Sequence, residues 1–155
     1  GDGRCACHGV DASLDSLVRA DAEHRAKHGR GFDGMLGFSQ GAALVHLVCA
    51  MRELDASLLP DLMHVLLIAG YPFCGVPHVP SGEIHLDDVG ALSGYEARMA
   101  TNRVRLPSLH VSGERDGRVS REVSARLAKC FDAATRESAT HGGGHRMPSD
   151  DGSPR

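Results

Sequence analysis

One serine in this chain has the neighbours that a nucleophile needs. Gly37-Phe38-Ser39-Gln40-Gly41 matches the pattern G-x-S-x-G. An apolar run ends at Phe38, and a run rich in Ala, Leu and Val follows from Gln40. A strand that turns sharply into a helix here forces Ser39 into a strained backbone conformation and lifts its hydroxyl clear of a sheet. Such a turn is expected to crowd the residues two before and two after the serine against each other, so that both are glycine. The first N–H groups of the helix point at the serine, and the Gln40 backbone N–H is expected to stabilise a developing oxyanion. The competing reading is a tight strand–helix turn that carries an incidental serine.

A serine hydroxyl becomes nucleophilic only beside a base, and the base needs an acid to orient it. When the serine sits on such an elbow, acid and base follow it in that chain order. Asp116 lies in Gly113-Glu114-Arg115-Asp116, just past the C-terminal end of a short apolar run. Functional groups gather at that edge of a parallel sheet. Glu114 is the competing acid, and Asp116 also reads as an ordinary turn aspartate. His145 closes the run His141-Gly142-Gly143-Gly144-His145, where flexible backbone would let an imidazole swing over Ser39. His141 is the rival base. The remaining histidines, His46 and His110 among them, read as packed or surface residues.

Two clusters raise the question of a metal. His141 and His145 have H-x-x-x-H spacing, but three glycines between them do not make a rigid helical site. Cys5, Cys7 and His8 lie close together, yet no second cluster with finger spacing follows. No metal is expected at either cluster.

Around these residues, helices alternate with short apolar runs. A helix is predicted from Val10 to His28, with Leu14, Leu17 and Val18 at helical spacing and Gly29 and Gly31 stopping it. Phe32–Phe38 reads as a buried strand and Gln40–Leu54 as a helix. Met63–Ala69 reads as a second buried strand, and the Gly- and Pro-rich stretch Gly70–Leu86 as loop. A short helix is predicted over Ala91–Asn102. Ser108–Ser112 reads as a strand ended by Gly113, Ser120–Phe131 as a helix with a Val123, Leu127, Cys130 stripe, and Thr135–Thr140 as a last strand. This alternation predicts βαβ units and a parallel sheet.

The chain has 155 residues, enough for one domain with a real core. Its 17 basic and 20 acidic residues nearly balance, at −3, which gives no electrostatic reason to expect nucleic acid or an anionic membrane as partner. The longest apolar run, Leu62–Gly70, contains His64 and is far shorter than a membrane span. The 5 cysteines are odd in number and irregular in spacing, which predicts free thiols in a reducing, cytoplasmic setting. Residues 1–148 read as the domain and residues 149–155 as a disordered tail.

Three blocks together resemble a known family. The run Phe32-Asp33-Gly34-Met35-Leu36-Gly37-Phe38-Ser39-Gln40-Gly41-Ala42-Ala43 closely resembles the elbow of the FSH family of fungal and animal serine hydrolases. Leu106–Asp116 resembles its acid segment. His141–Pro148 resembles its histidine segment, with Gly142 where proline is common. Acyl-protein thioesterases share the elbow, but the double-histidine ending favours FSH. The resemblance implies the α/β-hydrolase fold, a parallel sheet with helices on both faces. It implies Ser39, Asp116 and His145 as a triad, with His141 outside it. It further implies an esterase acting on small carboxylic esters without a cofactor.

The resemblance also has gaps. Family members begin with strands and a His-Gly loop before the elbow, and residues 1–31 contain no match to them. A closing helix after the histidine is likewise unmatched. The sequence therefore reads as a fragment whose sheet lacks its N-terminal strands. The elbow strand would then have an unpaired edge, through which the chain is expected to oligomerise or aggregate. The reading from another class is a non-catalytic interaction module on a truncated hydrolase scaffold.

Overall fold

A computed structural model describes residues 9–73 and 103–149. The helix predicted at 91–102, most of the 70–86 loop, the Cys5-Cys7-His8 cluster and nearly all of the 149–155 tail lie outside the described residues. The order of elements is α1 (Val10–His28), β1 (Gly34–Phe38), α2 (Gln40–Leu54), β2 (His64–Ile68), β3 (Ser108–Gly113), α3 (Arg121–Lys129) and β4 (Arg136–His141). The four strands form one parallel sheet in the order β1-β2-β3-β4. No helix among the described residues is long and apolar enough to cross a membrane.

Both long helices have the predicted bounds. Gly29 stops α1 in the left-handed region at φ 78°, where its N–H donates to the Arg25 carbonyl. The strand expected from Phe32 starts two residues later because Gly31 and Phe32 are occupied elsewhere. The Phe32 N–H donates to Asp21 Oδ1 at 2.7 Å and the Gly31 N–H to Asp61 Oδ2 at 2.6 Å. Arg25 bridges the two carboxylates, at 3.3 Å from Asp21 and 2.7 Å from Asp61. Asp21 is therefore a buried charge with its partners in place, and it fixes how α1 feeds β1. Ser120 caps α3 by accepting the Val123 N–H.

The helices expected on both faces are found on one face only among the described residues. Met35, Val65 and Leu67 alternate to one side of the sheet and pack with Leu14 and Leu17 of α1, Val45 and Val48 of α2 and Leu127 of α3. Leu36, Phe38, Leu66, Ile68, Leu109 and Val111 alternate to the other side. The strand order explains this. Right-handed crossovers that always step in the same direction place their helices on the same face, and a reversal of direction is needed to cover the other. From β1 to β4 the order never reverses.

Within the described residues β1 is an edge strand, paired with β2 alone. The buried strand expected there is consequently half open, and Leu36 is 53% exposed. The core on the helical side is dense with fully buried Leu62, Val65, Leu67, Val104, Leu127 and Phe131. Each such side chain contributes about 1.5–3 kcal/mol on burial. His46 and His110 belong to this core, as expected of packed histidines. Burial, with His110 nearby, holds the His46 pKa down at about 4. Burial, with Arg136 nearby, holds His110 down at about 4 as well. Both rings are therefore neutral spacers near neutral pH.

Candidate active site

The elbow forms at the C-terminal edge of the sheet. Ser39 sits at φ 53°, ψ −119°, between the last residue of β1 and the first of α2. A non-glycine residue at positive φ is strained, and the surroundings must hold it there. The Ser39 N–H donates to the Ile68 carbonyl at 2.9 Å, which ties the elbow to the end of β2. Ala69, the residue after β2, is also strained, at φ 48°, and its N–H donates to the Val111 carbonyl at 2.8 Å. Intrahelical bonding in α2 starts with the Ala42 and Ala43 N–H groups on the Ser39 carbonyl. The Gln40 N–H thus precedes the bonded turns, at the positive end of the helix.

The mutual crowding expected of the two elbow glycines holds for one of them. A Cβ on Gly37 would stand 2.6 Å from Ala42 Cα and 2.6 Å from the Gly41 carbonyl oxygen, which are backbone atoms that cannot swing aside. A Cβ on Gly41 meets nothing within 4 Å among the described residues, because it points outward from the first turn of α2. Gly37→Ala is therefore expected to destabilise by about 1–3 kcal/mol through overpacking. Gly41→Ala is expected to be neutral or stabilising by up to about 1 kcal/mol, since alanine is the better helix former. Thermal denaturation of the two variants checks this, and equal melting temperatures would refute the one-sided packing.

The acid turn follows β3. Asp116 Oδ1 accepts the Arg118 and Val119 N–H groups, each at 2.9 Å. Its Oδ2 lies 2.9 Å from His145 Nδ1, and the carboxylate side chain is fully buried. His145 Nε2 lies 3.0 Å from Ser39 Oγ. A carboxylate can only accept, so Nδ1 carries the ring proton and Nε2 is the acceptor for the serine hydroxyl. The His145 side chain is 16% exposed, and its ring packs against Phe38 with centroids 4.9 Å apart. The structure thus brings together Ser39, Asp116 and His145, with Gln40 beside them.

The rivals lie elsewhere. Glu114 is exposed and accepts from Thr140 Oγ1 at 3.4 Å. His141 Nδ1 accepts the Gly143 N–H at 3.2 Å, and its Nε2 is buried.

The glycine loop is tied down rather than free to swing. The Glu114 N–H donates to the His141 carbonyl at 2.9 Å and the Arg115 N–H to the Gly143 carbonyl at 3.0 Å. Arg115 Nε donates to the Gly142 carbonyl at 2.6 Å. Gly113 allows this approach, since a Cβ there would stand 2.5 Å from the Gly144 carbonyl oxygen. The Gly113-Glu114-Arg115-Asp116 block is visible in the sequence, but not that Gly113 and Arg115 meet the loop that carries His145.

The chain is similar to known proteins. Residues 2–153 match the family described as Serine hydrolase (FSH1). Esterase OVCA2 of Bos taurus is 36% identical over 143 residues, which are 92% of this chain and 52% of the relative. Esterase OVCA2 of Homo sapiens is 34% identical over 142 residues, again 92% of this chain and 52% of the relative. The chain thus spans about half the length of the curated relatives it matches. Among solved structures, acyl-protein thioesterase 2 of Zea mays superposes with a TM-score of 0.59 at 17% identity, covering 92% of this chain and 60% of that one. That likeness is one of fold. With an all-parallel sheet, an elbow after β1 and a match along almost its whole length, the chain belongs to the FSH1 family of serine hydrolases and has the α/β-hydrolase fold.

Proposed function

We propose that this chain hydrolyses small carboxylic esters through a Ser39–His145–Asp116 triad and an acyl-enzyme. The observation that carries the reading is the unbroken chain of hydrogen bonds from Ser39 Oγ through His145 to Asp116, at 3.0 and 2.9 Å. His145 Nε2 takes the hydroxyl proton as Ser39 Oγ bonds to the ester carbonyl carbon. The carbonyl electron pair moves onto oxygen, where the Gln40 N–H stabilises it. Collapse of this intermediate breaks the bond to the alcohol, which leaves with the proton from His145. Water then repeats the sequence on the acyl-Ser39 ester, with His145 again taking and returning the proton, and frees the acid. The buried Asp116 stabilises the imidazolium formed at each step. Neither a metal nor an organic cofactor enters this chemistry. The esterase names of the curated relatives agree with it.

The test is the bond cleaved. An ester's alcohol leaves readily, whereas an amide nitrogen must be protonated before it departs. Aryl and short alkyl esters are therefore expected to turn over, with matched peptides cleaved negligibly and chelators without effect. Comparable rates on a peptide and its matched ester would contradict the proposal, and so would loss of ester turnover on chelation.

A further inference from the structure

Among the described residues, the acid turn holds the loop that carries His145 through three donors, one of which is a side chain. The acid turn offers the Glu114 N–H, the Arg115 N–H and Arg115 Nε. These take the consecutive carbonyls of His141, Gly143 and Gly142 respectively. Two of the bonds are backbone to backbone and do not depend on the Arg115 side chain. The third, from Arg115 Nε to the Gly142 oxygen, is the shortest of the set at 2.6 Å and is charge-assisted. Among the described residues, a Cβ on Gly142 would meet nothing within 4 Å. Arg115 is also the residue immediately before Asp116. One residue therefore joins the turn that presents the acid to the loop that presents the base.

We infer that Arg115 is a positioning residue: its Nε–H clamps the Gly142 carbonyl and so fixes His145 between Asp116 and Ser39. The inference rests on the proposed triad. Without the clamp the Gly142–Gly143 peptide keeps only the Gly143 N–H bond to His141 Nδ1, at 3.2 Å, and His145 spreads over positions in which one of its two hydrogen bonds is too long. Proton transfer to and from His145 occurs after substrate binding, so the loss falls on kcat. Arg115 touches the loop rather than the serine, so KM is left unchanged.

Three substitutions separate the donor from the charge. In Arg115→Gln the side-chain amide nitrogen follows the same number of bonds as Nε and can donate, without the charge. Arg115→Met has similar length and no donor. Arg115→Lys keeps the charge but moves the donor one bond further out. The measurements are kcat and KM on an aryl ester, the rate of fluorophosphonate labelling of Ser39, and the melting temperature, all on the full chain. Misplacement of a catalytic group by about 1 Å can cost 100-fold. Arg115→Met and Arg115→Lys are therefore expected to lose roughly 10- to 100-fold in kcat and in labelling rate at constant KM, while Arg115→Gln stays close to wild type. The inference is overturned if Arg115→Met keeps full kcat, if Arg115→Gln falls as far as Arg115→Met, or if KM rises with kcat unchanged. Ser39→Ala belongs in the same series. If it keeps activity, the triad itself is wrong; if it is inactive while Arg115→Met is not, only the clamp is.

Discussion

Ser39→Ala is expected to lower ester turnover by a factor on the order of 10⁴–10⁶ and to abolish covalent labelling by a fluorophosphonate. The substitution is clean for a structural reason. Ser39 lies at φ 53°, ψ −119°, and alanine meets the same strain there as serine, so the elbow keeps its shape. The N–H bond to the Ile68 carbonyl and the first helical bonds onto the Ser39 carbonyl are backbone interactions and persist. Only Oγ disappears, and with it the partner 3.0 Å from His145 Nε2. Residual catalysis over water, from the Gln40 N–H and substrate binding, is the reason the loss is finite. Labelling is the sharper readout, because it reports the site of covalent bond formation and not merely a rate. Undiminished labelling in Ser39→Ala would mean that another group is the nucleophile.

The elbow was legible in the sequence because everything that makes it is local. An apolar strand, a residue with no Cβ at Gly37 and a helix-forming run lie within a few residues of Ser39. The acid was less so. Glu114 and Asp116 stand two residues apart in one turn, and spacing does not rank them. The geometry shows why the two readings of Asp116 were not alternatives. Its Oδ1 caps its own turn at Arg118 and Val119, and its Oδ2 faces His145, so it is a turn aspartate and a histidine partner together. What the sequence hid was long-range. The placement of α1 depends on Asp21 and Asp61, which meet through Arg25 across forty residues of chain. Among the described residues, the placement of α2 and α3 on one face follows from the order of strands in the sheet, which no local pattern encodes. The half-open state of β1 has the same origin. The run Gly34–Phe38 is apolar enough for a central strand, but its neighbours decide how much of Leu36 is covered. The glycine run before His145 suggested freedom. In the fold, Gly113 lets the loop approach closely enough to be bonded in place.

The second large effect separates the two histidines of that loop. His145→Ala is expected to cost a factor on the order of 10⁴–10⁶ in kcat, comparable to removal of the serine, because nucleophile and base act as one unit. His141→Ala is expected to keep a substantial part of the activity. Its ring does structural work, since Nδ1 accepts the Gly143 N–H at 3.2 Å, and its removal loosens a loop that the Glu114 and Arg115 donors still hold. The chemistry of the two rings differs in kind. His145 has its Nδ1 proton committed to a buried carboxylate and its Nε2 lone pair aimed at a hydroxyl, which is the arrangement of a general base. His141 has Nδ1 turned to backbone and Nε2 enclosed. Steady-state kinetics on both variants measures this. If His141→Ala were the inactive variant and His145→Ala the active one, the base would have been assigned to the wrong end of the loop.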